Sequence, residues 1–400
     1  MGILHRQRRL HRVARVGTLL LLTVLLYGCG DGEDTTSNSP SISIPPSSAA
    51  SLSALNTRGL TALRNNDIVG ARDIFKDAVS LAGSETSQEP DTARFFYALT
   101  RMAALGFPLV SDENPHDLNT VTDFLDLLGC HQPGSDPLSV EVSCPTPLPA
   151  TSPTGGEVQD FLQNVARSEL VGAVANLTIV SSSFQRGWTQ PFTGKTVESD
   201  FGDVLFFRAV GKGLLGFIAA QMAYDLEVNI ATAVNNQTVE TFLDNNPTFP
   251  PLVDRTPLPT ARDFLRDALD DLLAAITTIA AETDDQSDDF ITLQSMTAEK
   301  IEKAKIDVAD LKNALDGPTP VSSTLLGLSD SQETVNNDFT LDVRPFFAGI
   351  DLRQPNLLPP FVGNELAGLF PDPTFRGIIG PEIDLNEDLD GDGVPDILQR

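Results

Sequence analysis

Between Leu52 and Leu315 the apolar residues recur mostly at steps of three and four, a spacing that lines one side of an α-helix. Leu52 to Leu63 and Ile68 to Leu81 make a first apolar-faced pair, broken at Asn65-Asn66-Asp67. There Asp67 is placed to cap the second helix and Gly83 to stop it. Asp91 to Leu105 and Val121 to Leu128 predict a second, more degenerate pair. Glu157 to Leu177 carries Val158, Phe161, Leu162 and Val165 on one stripe, and Asp203 to Thr232 is apolar on nearly every side, as in a helix central to a bundle. Thr260, with Asp263 three residues on, resembles a capping box and opens a helix through Leu265, Leu269, Leu272 and Ile276 to Glu282. Thr297 caps the last, whose Ile301, Ala304, Val308, Leu311 and Leu315 form its stripe and which ends at Gly317-Pro318. The expected fold class is mainly α, built of stacked helical hairpins in an α-α array.

Between these helices the pattern lapses. Residues 130–155 are proline-rich, and Phe184 to Ser199 predicts a second loop, which holds the single tryptophan, Trp188. After Pro318 prolines alternate with isolated apolar residues. This predicts an irregular extended segment lying over the helices, anchored by Phe346, Phe347, Phe361, Phe370 and Phe375, rings costly to leave in water. The organisation expected is a leader over 1–28, a tether over 29–50, helices over 51–129, a loop over 130–156, a helical bundle over 157–317, the extended segment over 318–383 and an acidic end over 384–400.

Composition and charge narrow the class. An apolar fraction of 41% is enough for a sizeable core. The net charge is −28, but residues 1–28 hold five arginines and no acid, so the remainder carries −33. Such a surface repels nucleic acid and anionic lipid and gathers cations, which excludes a nucleic-acid partner. The opening arginines, Arg6, Arg8, Arg9, Arg12 and Arg15, precede an apolar run from Gly17 to Leu26. That run is shorter than the about 20 residues a spanning helix needs, and it reads as an export signal. The next stretch, Gly30 to Ala50, is rich in Ser, Pro, Thr and acid and reads as a flexible tether.

Three resemblances sharpen this. Leu26-Tyr27-Gly28-Cys29 resembles the lipobox of bacterial lipoproteins, which implies that Cys29 is acylated and becomes the first mature residue; secretion with cleavage nearby is the alternative. Gly30 after Cys29 resembles lipoproteins sorted to an outer membrane. Leu55, Gly59, Ala71, Phe75 and Ala78 fall at the spacing of a tetratricopeptide repeat, with Gly83 where that family usually has proline and Ala62 in place of an aromatic. The match covers about one repeat of roughly 34 residues, and it implies hairpin stacking rather than a chemistry. Near the end, Asp388, Asp390 and Asp392 alternate, Gly393 follows and Asp396 comes four residues after Asp392. This looks like the calcium loops of thrombospondin type 3 repeats and EF-hands. With the Val394 carbonyl, these carboxylates supply the hard oxygens that calcium requires. Gly380-Pro381 and Gln399 depart from the EF-hand pattern and favour the repeat-type loop.

The remaining chemistry is sparse. Cys130 and Cys144 predict a disulfide in an exported chain; zinc, with His131 alongside, is the weaker reading because four ligands are wanted. Trp188 is the candidate for touching a ligand or partner. Gly211, Gly213 and Gly216 match a dinucleotide pattern, but no strand precedes them, so they read as close helix contacts. Phe206 and Phe207 read as core, and Asp284, Asp285, Asp288 and Asp289 as a solvated turn. His116 and His131 lie in loop-like surroundings, and no nucleophile or metalloprotease motif is present. The expected protein is a non-catalytic, lipid-anchored scaffold of the cell envelope, contacting other envelope proteins and binding calcium. A ligand-binding subunit of a transport system is the first alternative, and a paired-carboxylate hydrolase the second.

Overall fold

The computed structural model describes residues 51–84, 87–106, 118–130, 143–191, 193–235, 249–284, 286–322 and 338–349, together with 242, 245 and 246. They are mainly helical, with two small antiparallel sheets. Among the described residues no helix is long and apolar enough to cross a membrane. The chain divides into two compact units. One comprises residues up to Pro145, Ser168–Arg208 and Thr278–Ser295; the other comprises Thr146–Arg167, Ala209–Thr277 and the residues from Met296 on.

The first unit begins with three consecutive helices, α1 Leu52–Arg64, α2 Ile68–Ala82 and α3 Gln88–Ala104. Each boundary has a local cause. Ser51 accepts the Ala54 N–H at 3.3 Å, Asp67 accepts that of Gly70 at 2.8 Å, and Gly83 takes a left-handed φ of 58° where α2 stops. Leu55, Gly59, Ala71, Phe75 and Ala78 are all buried. A Cβ at Gly59 would fall 2.5 Å from Phe75 Cζ, so only glycine lets the ring lie across α1. The α3 helix is enclosed along most of its length, Arg94 included at 1% exposure. Arg94 is satisfied by Asp91 at 3.2 Å and by the Gly83 carbonyl at 2.9 Å, and Asp91 in turn accepts the Ser181 N–H. A short α4, Val121–Leu127, opens on a capping box of Thr120 and Asp123.

Further parts belong to this unit. The α6 helix, Arg167–Ile179, presents Glu169 to Arg72 at 2.6 Å and to Arg101 at 2.9 Å. The expected loop from Phe184 to Ser199 is instead a hairpin, β1 Gln185–Thr189 paired with β2 Thr196–Asp200. Few of its residues are apolar, so the alternation is carried by Trp188, Val197 and Ser199 alone and is easily missed. Asp288 and Phe290 add a third segment. The Glu198 N–H donates to the Asp288 carbonyl at 2.6 Å, and the Phe290 N–H donates to the Glu198 carbonyl at 2.7 Å.

In the second unit, Thr154 and Glu157 form the capping box of α5, Gly155–Phe161, which passes through a π-helical turn at Leu162–Ala166. The Gln159 amide donates to the carbonyls of Gln221 and Tyr224 and accepts the Leu226 N–H, which ties α5 to the chain leaving α7, Phe201–Gln221. This departs from the single helix expected to Thr232: α7 ends at Gln221, and a separate short α8 spans Ile230–Asn235. The next helix, α9, covers Pro257–Ala281, so it starts three residues before Thr260, with proline in its first turn where no N–H is needed. Thr297 caps α10, Ala298–Ala314, as expected. Beyond Pro318 the described part is ordered. Strands β3 Thr319–Ser322 and β4 Asp338–Leu341 pair, and α11, Arg344–Phe347, follows. Phe346 and Phe347 pack on a core of Ala220, Ala261 and Leu315, as expected of anchors; Phe361, Phe370 and Phe375 lie outside the described residues.

Candidate functional site

The sequence-derived sites fare differently. Cys130 and Cys144 are joined in a disulfide. Cys29 and the calcium-loop residues Asp388, Asp390, Asp392, Val394 and Asp396 lie outside the described residues, as do His116, His131 and Asp285. Trp188 is not in a loop. Only 7% exposed, its ring meets Phe96 and Phe290 edge-on at 5.1 and 5.3 Å, and its indole N–H donates to Ser199 Oγ at 2.9 Å. This leaves it little surface to offer a partner. Phe207 is buried against Phe290 at 5.7 Å, and Phe206 packs edge-on against Phe207. In α7 the Gly216 Cα lies where a Cβ would stand 3.1 Å from the Ala261 carbonyl and 2.8 Å from Leu265, so this glycine does serve a close helix contact.

The chemically unusual place is one that the pattern of the chain did not single out. Asp200 ends β2 and caps α7: its Oδ1 accepts the N–H groups of Gly202 at 2.7 Å and Asp203 at 3.3 Å. Asp203 answers by accepting the Asp200 N–H at 3.1 Å, which completes a capping box built from two acids. Because Gly202 lacks a side chain, the end of α9 comes close. A Cβ there would stand 2.5 Å from Ile279 and 3.1 Å from both Asp200 Oδ1 and Glu282 Oε1. Asp289, on the segment paired with β2, is the fourth carboxyl; its neighbours Asp284 and Asp288 are exposed, as a solvated turn requires, but Asp289 itself turns inward.

Three oxygens of this cluster, Asp203 Oδ1, Glu282 Oε1 and Asp289 Oδ2, are buried without a hydrogen-bond partner. Asp203 is only 2% exposed. Unpaired buried acceptors of one sign are costly, and the carboxyls respond by holding protons. Burial, then the negative charge of Asp200, holds Asp203 well above the usual carboxylate range. Burial first, and then the Asp200 carboxyl beside it, pushes Glu282 up to about 9. Burial, then Asp200 again, raises Asp289 to about 6. Gln286 Nε2 reaches Glu282 Oε2 at 3.1 Å, so that oxygen is already served. Among the described residues, no three acidic, histidine or cysteine side chains stand in an arrangement that holds a metal ion.

Comparison with protein-family models, with curated proteins and with solved structures finds no match to this chain.

Proposed function

We propose that this chain is an exported lipoprotein whose helical body acts as a non-catalytic scaffold for other proteins of the cell envelope. The lipobox-like Leu26-Tyr27-Gly28-Cys29 supports acylation of Cys29, and Gly30 supports an outer-membrane address. The tether from Gly30 to Ala50 then holds the body away from the lipid. Calcium is held at the C-terminal end by Asp388, Asp390, Asp392, Asp396 and the Val394 carbonyl, where it orders the chain rather than assisting a reaction.

The observation that carries the scaffold reading is the run α1–α2–α3, in which a tetratricopeptide-like set of small and aromatic residues forms the seam between neighbouring helices. Stacked hairpins present grooves suited to extended or helical peptides. Two facts weigh against the alternatives. A closed apolar pocket lined by Phe206, Phe207 and Trp188 would favour a transport subunit, whereas Trp188 and Phe207 pack against Phe290 and Phe206 packs edge-on against Phe207. A hydrolase would need facing carboxylates open to substrate, and the unpaired oxygens of the acid cluster are buried.

The test is photo-crosslinking in intact cells, with a photoreactive residue at Leu81, an exposed apolar position on α2. The scaffold reading expects discrete crosslinked envelope proteins, lost when Phe75→Ala loosens the seam. A pattern unchanged by Phe75→Ala, or no crosslink at all, refutes it.

A further inference from the structure

The acid cluster ties two parts of the first unit by chemistry that changes with pH. Asp200 and Asp203 sit at the corner where β2 becomes α7, and Glu282 and Asp289 sit on the chain leaving α9. Among the described residues, that chain returns to β2 through two backbone hydrogen bonds, Glu198 N–H to Asp288 and Phe290 N–H to Glu198. Phe290 supplies the apolar part of the attachment, against Trp188 and Phe207. The groups facing Glu282 are Asp200, Asp203 and Asp289; those facing Asp289 are Asp200, Asp284, Asp288 and Glu198. All are acidic. Four carboxyls so placed are compatible only while protons occupy some of them, because a protonated carboxyl supplies the donor that an unpaired oxygen lacks.

We propose that Asp203, Glu282 and Asp289, gathered around Asp200, form a proton-operated latch. Protonated, it holds the Asp288–Phe290 segment on β2; deprotonated, its own repulsion frees that segment and uncovers Trp188. The three unpaired buried oxygens, one of them on the almost wholly enclosed Asp203, are the geometric basis.

The direction follows from proton linkage. In the released chain Glu282 and Asp289 lose their protons near the ordinary 4.5 and 3.8, whereas docked they hold them to about 9 and about 6. The docked form therefore binds more protons between those limits. Its stabilisation is complete below about pH 4 and is lost as pH rises through 6 and then 9. While one proton is being lost, the opening constant rises by up to about tenfold per pH unit.

Trp188 is the single tryptophan and packs edge-on against Phe290 of the segment in question, so its emission reads the latch directly. The experiment follows emission and the amide exchange of Phe290 on full-length protein from pH 5 to 9.5, with EDTA present and exchange corrected for its intrinsic pH dependence. The expected result is a red shift and falling Phe290 protection in two steps. Glu282→Gln, nearly isosteric and neutral, removes the upper step, Asp289→Asn removes the lower, and Asp77→Asn, at an exposed position on α2, leaves both in place. Emission and protection that stay constant across the range overturn the latch, as does a Glu282→Gln protein that titrates like the wild type. A transition that added calcium erases replaces the proton by a cation and also overturns it.

Discussion

Arg94 is the side chain on which the first unit most depends. A guanidinium at 1% exposure is tolerable only because Asp91 neutralises it and the Gly83 carbonyl takes a further donor. The arrangement also ties the end of α2 and the turn at Ser181 to α3. Arg94→Met keeps most of the volume but leaves the Asp91 carboxylate buried with one partner fewer. Removing one member of a buried pair typically costs about 3–5 kcal/mol. We expect a loss of that order in urea unfolding, and Asp91→Asn combined with Arg94→Met should recover part of it. Equal stability of single and double variants would show that the pair itself is not what matters. Nothing in the spacing of the chain marks Arg94 as enclosed, since a polar residue on a predicted helix is by default assigned to water.

The helices were the most legible elements, because their boundaries rest on contacts within a few residues. Asp67, Thr120, Thr154 and Thr297 each accept the N–H that a capping residue should. The hairpin β1–β2 was not legible. Its inward positions, Trp188, Val197 and Ser199, acquire their direction from the aromatic rings of α3 and α7 and from the Phe290 segment beneath them. The disulfide belongs to this level as well: Cys130 and Cys144 close a loop with a sequence separation of 14. For a loop of that length chain-entropy reasoning gives about 3 kcal/mol. The double variant Cys130→Ser/Cys144→Ser is expected to lose about that much in denaturant unfolding under oxidising conditions. Wild type measured with reductant should match it. If reduction leaves the midpoint where it was, the crosslink restrains a loop that the unfolded chain already keeps closed.

At the level of the whole chain, charge is the dominant property. With −33 after residues 1–28, the protein gathers cations, and a specific calcium site has to be distinguished from that diffuse atmosphere. Titration calorimetry at about 0.15 M salt, where surface charges are largely screened, makes the distinction. We expect one saturable calcium event in the wild type and its loss in Asp392→Ala, with the diffuse background equal in both. Superimposable traces would remove calcium from the proposed function. The same excess of acid underlies the latch: a chain so rich in carboxyls can assemble four of them around one helix start, and only protons then make the assembly stable.

The sequence by itself determined the elements whose causes are local: helix stripes of period 3.6, their caps, the glycine that lets Phe75 cross α1, and the pairing of two cysteines close in the chain. It also carries the arginine-then-apolar opening and the aspartate spacing near the C-terminus, on which the proposed address and ion rest. Tertiary structure alone decided what depends on residues far apart in sequence. It took Trp188 out of the expected loop and set it against Phe290, and it brought Asp200 and Asp203 to Glu282 and Asp289 across some eighty positions. The physical reason is that a carboxylate looks alike along the chain whether it will be solvated or enclosed; its proton affinity is a property of the neighbours that folding supplies.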